Sequence, residues 1–208
     1  MDLGSLIAKV QDAVQDTSVA TTSAATNWIN DGLREASFRV DFAALRTNDT
    51  VATVVDTTYA SLPSNYQREL YFLVNTTTGI RMTIYPTLQD ILTFYPLLDQ
   101  EDMDAVMAAV DEGNRLYYQA VPETAQNLQL YYYRNPDTLT ADADVPEAIP
   151  SHLHEDTLVP YAAYRGWDLI EQAMNEKKTN SASYLARFEL AIIRVRRAVT
   201  KRGGSFSA

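Results

Sequence analysis

Residues 142–167, DADVPEAIPSHLHEDTLVPYAAYRGW, separate two kinds of sequence in this chain. Pro146 and Pro150 remove two backbone donors and hold the residues before them extended, so the first half of this stretch is predicted to be a loop. Ser151, directly after the second proline, has the character of a helix cap. We call residues 142–167 the hinge stretch. The sequence before it is mixed and the sequence after it is helix-like, so we predict that it connects a C-terminal pair of helices to a domain formed by the preceding residues.

Apolar residues at helical spacing predict two N-terminal helices, 2–16 and 27–42. The first has an apolar seam, and the second repeats apolar residues at steps of four, three and four, with Thr26 or Ser23 as the expected cap. A polar connector joins the two, which favours an antiparallel pair whose apolar faces are covered by later parts of the chain.

The period changes in residues 47–134, which are rich in Val, Thr and Tyr and predict strands. Residues 71–74 and 81–85 are expected to form a hairpin around Gly79. A second hairpin is expected from the segments RLYYQAV and LQLYYYR. Tyr131 and Tyr133 should face one side of their strand and Tyr132 the other. Residues 87–96 are expected to form one or two helical turns. The acidic segment DQEDMDAVMAAVDEGN fits either a helix or a loop that is ordered only in an assembly.

The C-terminal part predicts two further helices, 151–176 and 181–201. Pro160 either kinks the first of them or marks the point where its regular part begins. In the last helix a regular apolar stripe runs along one side, and Asn180 or Ser181 is the expected cap.

Charge is unevenly distributed along the chain. It has 17 basic and 27 acidic residues and a net charge of -10, which argues against general nucleic-acid binding. From residue 180 onward there are six basic residues and one acidic residue, a net charge of +5, which leaves -15 for the first 179 residues. The basic face of the last helix therefore has three interpretations: a solvated outer face, a nucleic-acid contact, or a site for an acidic partner protein. The tail beyond it carries Phe206, and a flexible aromatic tail favours the third.

Few residue patterns here suggest chemistry. The chain has no cysteine and no nucleophile elbow, P-loop or dinucleotide fingerprint. His152 and His154 are two residues apart, so on a helix they point in different directions, and with Glu155 and Asp156 they fit a helix start better than a metal site. The acidic clusters are expected to be ionised and solvated rather than catalytic; they comprise Glu101, Asp102 and Asp104, and Asp142 and Asp144. We therefore expect no enzyme activity, no metal and no cofactor.

The N-terminal residues do not look like a secretory signal, and no membrane span is expected.

Four segments in this order resemble the head-to-tail adaptor, or head completion, proteins of tailed bacteriophages. They are LGSLIAKVQDAVQD with NWINDGLREAS, then SLPSNYQREL, then LQLYYYRNPDTLTADADVPEAIPSHLHEDTLVPYAAYRGW, and the closing amphipathic helix. The third is the most specific, since a tyrosine-rich strand leads through a short acidic loop to a helix with small and aromatic residues.

The resemblance implies a structural virion protein at the neck between head and tail. It implies a ring of twelve copies beneath the portal, through whose lumen genomic DNA passes, and no membrane partner. Residues 194–208 would bind the portal, with Arg194, Arg197, Lys201 and Arg202 on an acidic portal surface and Phe206 in a pocket. The inserted β region would meet the next tail component. Tyr161, Tyr164 and Trp167 would supply core and neighbour contacts.

The predicted fold class is α+β and mainly α: a helical bundle of two N-terminal and two C-terminal helices, with a small antiparallel sheet inserted at 47–134. Residues 1–193 are expected to form one adaptor domain and residues 194–208 a basic arm and tail. Two other functions remain as alternatives. One is a connector of the tail-completion or tail-tube terminator type, and the other is a DNA-binding module using the basic last helix, which a steep salt dependence of duplex binding would support.

Overall fold

The computed structural model describes residues 1–98, 108–174 and 177–202, without the side chains of residues 108, 110, 201 and 202. Five α-helices lie within these residues: α1 (Leu3–Val14), α2 (Thr22–Arg39), α3 (Leu88–Phe94), α4 (His154–Ala173) and α5 (Thr179–Arg202). The described residues between α2 and α4 form eight strands: β1 (Arg46–Ala52), β2 (Tyr59–Ser61), β3 (Tyr66–Asn75), β4 (Ile80–Arg81), β5 (Thr83–Ile84), β6 (Ala108–Glu112), β7 (Arg115–Gln119) and β8 (Asn127–Arg134). Short 3-10 turns precede β1 and α4.

The chain divides into two compact units. The helical unit consists of Met1–Leu45 with Asn135–Ala208 and contains α1, α2, α4 and α5. The sheet unit, Arg46–Arg134, contains all the strands and α3.

The predicted fold class, a helical bundle with a small inserted sheet, is wrong. The strands form two sheets of four, with orders β1-β8-β3-β4 and β2-β7-β6-β5. Three strands of the second sheet are antiparallel, while β5 joins β6 in parallel. The physical reason is that β8 carries an apolar face, with Leu128, Leu130 and Tyr132 fully buried, and the second sheet covers it with Leu116 and Tyr118.

The two predicted hairpins have different outcomes. The first is confirmed in part: β3 and β4 pair around a turn in which Gly79 adopts a positive φ of 73°. The predicted second strand, 81–85, is divided, because β5 pairs with β6 in the other sheet. The second hairpin is wrong, because β7 pairs with β2 and β6 whereas β8 lies between β1 and β3 in the other sheet. As predicted, Tyr132 faces the core and Tyr131 lies on the opposite side, where it contacts Phe72.

The predicted turns between Pro86 and Pro96 are present as α3. In the acidic segment that follows, residues 99–107 lie outside the described residues, so Glu101, Asp102 and Asp104 do too. The rest of that segment is the strand β6 rather than a helix.

In the helical unit, α4 packs against α1, α2 and α5. Its Gly166 lies close to side chains of α1 and α2. A Cβ atom at Gly166 would lie 2.8 Å from Cγ2 of Val14 and 3.2 Å from the Trp28 ring. The α4 helix continues through Pro160. None of the described helices combines the length and apolar character needed to cross a membrane.

The helix starts differ from the sequence expectation. Helix α2 begins at Thr22, capped by the hydroxyl of Thr21, and Ser151 makes no cap because it lies within a 3-10 turn. Side chains able to cap occur at several neighbouring positions here, so the sequence alone does not determine which one is used.

Candidate docking surface of the helical unit

The acidic loop of the hinge stretch is fixed to the start of α1. The backbone carbonyls of Asp144 and Asp142 accept hydrogen bonds from the amides of Leu3 (2.8 Å) and Gly4 (3.0 Å), which have no partner within the helix. The Asp144 carboxylate accepts hydrogen bonds from the amides of Thr140 and Ala141, and these bonds lower the pKa of Asp144. Asp144 is therefore an ionised turn residue that shapes the loop.

A second anchor of this loop is the buried amide side chain of Asn30 on α2. Its Oδ1 accepts from the Leu139 amide at 2.8 Å, and its Nδ2 donates to the Leu139 carbonyl at 3.0 Å. Nδ2 also donates to the carbonyl of Thr26. One side chain thus satisfies both backbone groups of Leu139, which fixes the chain as it enters the loop.

His152 and His154 are in different environments. His152 is exposed, whereas His154 is buried with Nε2 2.8 Å from the Ile149 carbonyl and Nδ1 3.0 Å from the Met1 carbonyl. Among the described residues, no group of three His, Asp or Glu side chains is arranged to hold a metal ion. The contacts of His154 tie the start of α4 to the hinge loop and to the N-terminal residues.

The start of α5 is capped by a glutamate of α4. Glu171 is buried and accepts hydrogen bonds from the amides of Asn180 (2.7 Å) and Ser181 (3.2 Å) and from the Ser181 hydroxyl (2.6 Å). Desolvation raises the pKa of Glu171, but these hydrogen bonds outweigh it and lower the pKa overall. The sequence predicted Asn180 or Ser181 as the cap, whereas both act as donors to a carboxylate at the positive end of the helix dipole.

Replacing Glu171 with glutamine is expected to lower the midpoint of thermal unfolding at neutral pH, because an amide cannot accept all three hydrogen bonds. Since the folded-state pKa of Glu171 is depressed, its contribution is fully present above its ordinary pKa of 4.5 and is lost as the pH falls further. The difference in midpoint between the two proteins should therefore shrink with acidification. Glu155→Gln, at a half-exposed surface position, is the matched control. An unchanged midpoint at neutral pH would contradict the assigned role of Glu171.

One face of α5 is fixed in the helical unit. Phe188, Ala191, Ile192 and Val195 are buried, and the Phe188 ring packs edge-on against Tyr161 at 5.0 Å between centroids. Arg39 of α2 donates to the Glu189 carboxylate at 2.7 and 2.8 Å, and this bond raises the pKa of Arg39. These contacts determine which side chains of α5 point outward.

The predicted partner-binding arginines lie on the outward face. Arg194 is 65% exposed in its side chain and lies 3.7 Å from Asp156, and Arg197 is exposed. An exposed ion pair of this length adds little to stability. Helix α5 extends to Arg202, but the side chains of Lys201 and Arg202, and Phe206 altogether, lie outside what the structure describes.

The three predicted subunit-contact residues make contacts within the helical unit. The Tyr161 ring lies against Phe188 and Gly32, and Tyr164 packs edge-on against Tyr161. Trp167 donates from Nε1 to the Ala13 carbonyl at 3.1 Å. All three are partly exposed, so contact with a neighbouring copy stays a prediction for them.

Sequence reasoning missed a groove of about 510 Å³ formed by α1, α4 and α5. Val159, Pro160, Leu190 and Ala191 provide apolar lining, and Leu190 is 58% exposed. Phe38 on α2 is 64% exposed. The available signal was that Leu190 and Ile193 fall outside the main apolar stripe of α5.

Exposed arginines and apolar side chains thus lie on a fixed helical scaffold, and such surfaces are typical of proteins that bind other proteins. A family model described as SU10 adaptor protein matches residues 1–206. The chain therefore belongs to the SU10 adaptor protein family, a family of phage head-to-tail adaptors, which confirms the resemblance found in the sequence. Its role is that of a structural adaptor of the phage virion. Comparison with curated proteins gave no match.

Proposed function

We propose that copies of this protein form a ring between the portal and the next tail component, and that the ring continues the DNA channel at the neck of the virion. The family resemblance implies twelve copies. In this role the protein positions partners and carries out no chemistry. Because the first 179 residues carry a net charge of -15, such a ring would repel the DNA that slides through it.

The end of α5 is proposed to dock on an acidic surface of the portal. The observation that carries this proposal is the exposure of Arg194 and Arg197 on a helix whose opposite face is held by buried Phe188 and Val195. A helix fixed in this way presents its cations without first having to be ordered, which favours association. Lys201, Arg202 and Phe206 would extend the same contact.

Reversing the charge of Arg194 and Arg197 to glutamate is the test. Binding to purified portal should weaken by about tenfold or more, because each change places a carboxylate against an acidic surface. Arg165→Glu, an equal change of charge at an exposed position of α4, is the control and should leave binding unchanged. Deletion of residues 203–208 tests the tail while sparing buried Val195. Unchanged portal binding in both the charge-reversed and the truncated protein would overturn the docking proposal.

A further inference from the structure

We propose that residues 53–58 of one copy, here named the valine loop, insert into a cleft beside β3 of the next copy and place Asp56 against Arg81. This contact would join the sheet units of neighbouring subunits side by side. The inference rests on the proposed ring, and it identifies a copy-to-copy contact within that ring.

The valine loop, TVVDTT, connects β1 to β2 and presents apolar side chains to solvent. Val54 is 52% exposed and Val55 is 42% exposed. Short connections favour Gly, Pro, Asn, Asp and Ser, so the turn itself does not explain two adjacent exposed valines. A partner that covered both would remove apolar surface from water, which favours association.

Hydrogen bonds fix the valine loop to the body of the sheet unit. The amide of buried Thr53 donates to the Gln126 carbonyl at 2.8 Å, and its hydroxyl accepts from the Gln126 amide at 2.9 Å. The Val54 amide donates to the hydroxyl of fully buried Tyr118 at 3.0 Å, and the Thr57 amide donates to the Val54 carbonyl at 3.3 Å. A loop held in this way loses little conformational freedom when it docks.

The cleft beside β3 opens where the chain passes from one sheet to the other. β4 pairs with Val74 and Asn75 at the end of β3, and β5 then joins β6, which leaves a cleft of about 380 Å³ next to the middle of β3. It is lined by Leu70, Tyr71, Arg81, Met82, Thr83 and Ile84. Leu70 and Met82 are buried, so the deeper part of the cleft is apolar. The cleft therefore suits aliphatic side chains such as those of valine.

Each of the two surfaces carries one charged residue, and the charges are opposite. Arg81 is the charged residue among those that line the cleft, and Asp56 is the charged residue of the valine loop. Both are exposed, and neither forms an ion pair within the described part of the chain. The Arg81 guanidinium lies over the Phe72 ring at 4.9 Å, and a guanidinium stacked in this way keeps its N–H groups available to a carboxylate. Asp56 of a neighbouring copy would therefore meet an unpaired cation.

The valine loop and the cleft belong to opposite edges of one sheet. In the order β1-β8-β3-β4, the loop leaves from β1 at one edge, and Arg81 belongs to β4 at the other. Neighbouring strands lie about 4.8 Å apart, so roughly 14 Å separates the two edge strands. A surface at one edge that fits a different surface at the other makes a heterologous contact. Repetition of such a contact gives a closed ring when the rotation per subunit closes.

The test reverses the two charges in separate proteins. Asp56→Lys and Arg81→Glu each change an exposed residue, and circular dichroism checks that both proteins fold. Alone, neither should form a ring in native mass spectrometry, with or without portal, because like charges then meet at every contact. Mixed in equal amounts, the two should assemble again, because alternating copies join opposite charges at every contact. A fault in folding would not be cured by mixing.

Two variants serve as matched controls for these charge reversals. Arg115→Glu reverses another exposed arginine of the sheet unit, which lies over the Tyr59 ring at 4.2 Å and outside the cleft. Glu123→Lys reverses an exposed carboxylate in the connection between β7 and β8. Both proteins should assemble like the unaltered protein.

Assembly of Arg81→Glu alone like the unaltered protein would overturn the proposal, as would failure of the mixture to assemble. Failure of the proposed function gives a different result, because the unaltered protein would then not bind portal at all. If the unaltered protein neither binds portal nor self-associates, both proposals fail.

Disulfide trapping gives a second readout, since the chain has no cysteine. The double variant Val55→Cys, Thr83→Cys places one cysteine on the valine loop and one at the cleft, and oxidation should give a ladder of covalent oligomers. Val55→Cys with Thr93→Cys, at an exposed threonine of α3 outside the cleft, should give none. Equal ladders from the two proteins would also overturn the proposed contact.

Discussion

Replacing Phe188 with alanine is expected to reduce the free energy of unfolding of the helical unit by about 3 to 5 kcal/mol. Phe188 is fully buried on α5, where it packs against Tyr161 and lies under the Arg39 guanidinium at 5.6 Å. Truncation would leave a cavity between α4 and α5 and remove both ring contacts. If the exposed arginines of α5 dock on the portal as proposed, the same change should also weaken portal binding.

Denaturant unfolding followed by tryptophan fluorescence is the appropriate measurement for Phe188→Ala. Both tryptophans of the chain, Trp28 and Trp167, belong to the helical unit, so the signal reports that unit. Leu190→Ala, two residues further along α5 at a 58% exposed position, is the matched control and should change stability far less. A loss below about 1 kcal/mol for Phe188→Ala would contradict the role of its ring as the anchor of α5.

The second large effect is expected for Asn30→Ala, which should cost about 2 to 4 kcal/mol. The substitution leaves the amide and the carbonyl of Leu139 without their partner in a buried position. It also frees the acidic loop whose carbonyls cap the start of α1, so two parts of the helical unit lose support.

Asn27→Ala is the matched control for Asn30→Ala, since Asn27 lies one turn earlier on the same helix and is exposed. The same side chain is removed from the same helix, and the difference between the two variants measures the buried contact. Hydrogen exchange at the Leu139 amide should accelerate in Asn30→Ala and stay unchanged in Asn27→Ala. Equal stability of the two variants would show that the contact with Leu139 contributes nothing.

Much of the helical unit could be predicted from local patterns. The apolar repeats of α1 and α5 indicated both helices, because a surface helix must bury one stripe. The residues that cap the helix starts could not be predicted from these repeats. Glu171 reaches the start of α5 from another helix, and that contact depends on how α4 and α5 pack.

The sheet unit shows the limit of local reasoning more clearly. Residues of β7 and β8 have strand composition and a polar connection, which is also what a hairpin shows. Their separation into two sheets depends on pairing with β1, β2, β3 and β6, strands distant in sequence, and no local signal records that register.

The candidate docking surface also has one part that the sequence predicts and another that it does not. The exposed arginines Arg194 and Arg197 follow from the helical period and the charge of α5 alone. The groove is formed by three helices that are far apart in the sequence, so it becomes visible only when they are brought together.

The chain passes from the helical unit to the sheet unit once, at Leu45 and Arg46, and returns once, at Arg134 and Asn135. Both crossings lie side by side, because Arg46 at the start of β1 is paired with Tyr133 near the end of β8. Adjacent entry and exit points are the arrangement in which one domain can be inserted into another without disturbing the host fold. The helical unit could therefore keep its fold if a sheet unit of different length or sequence stood between the same two crossings.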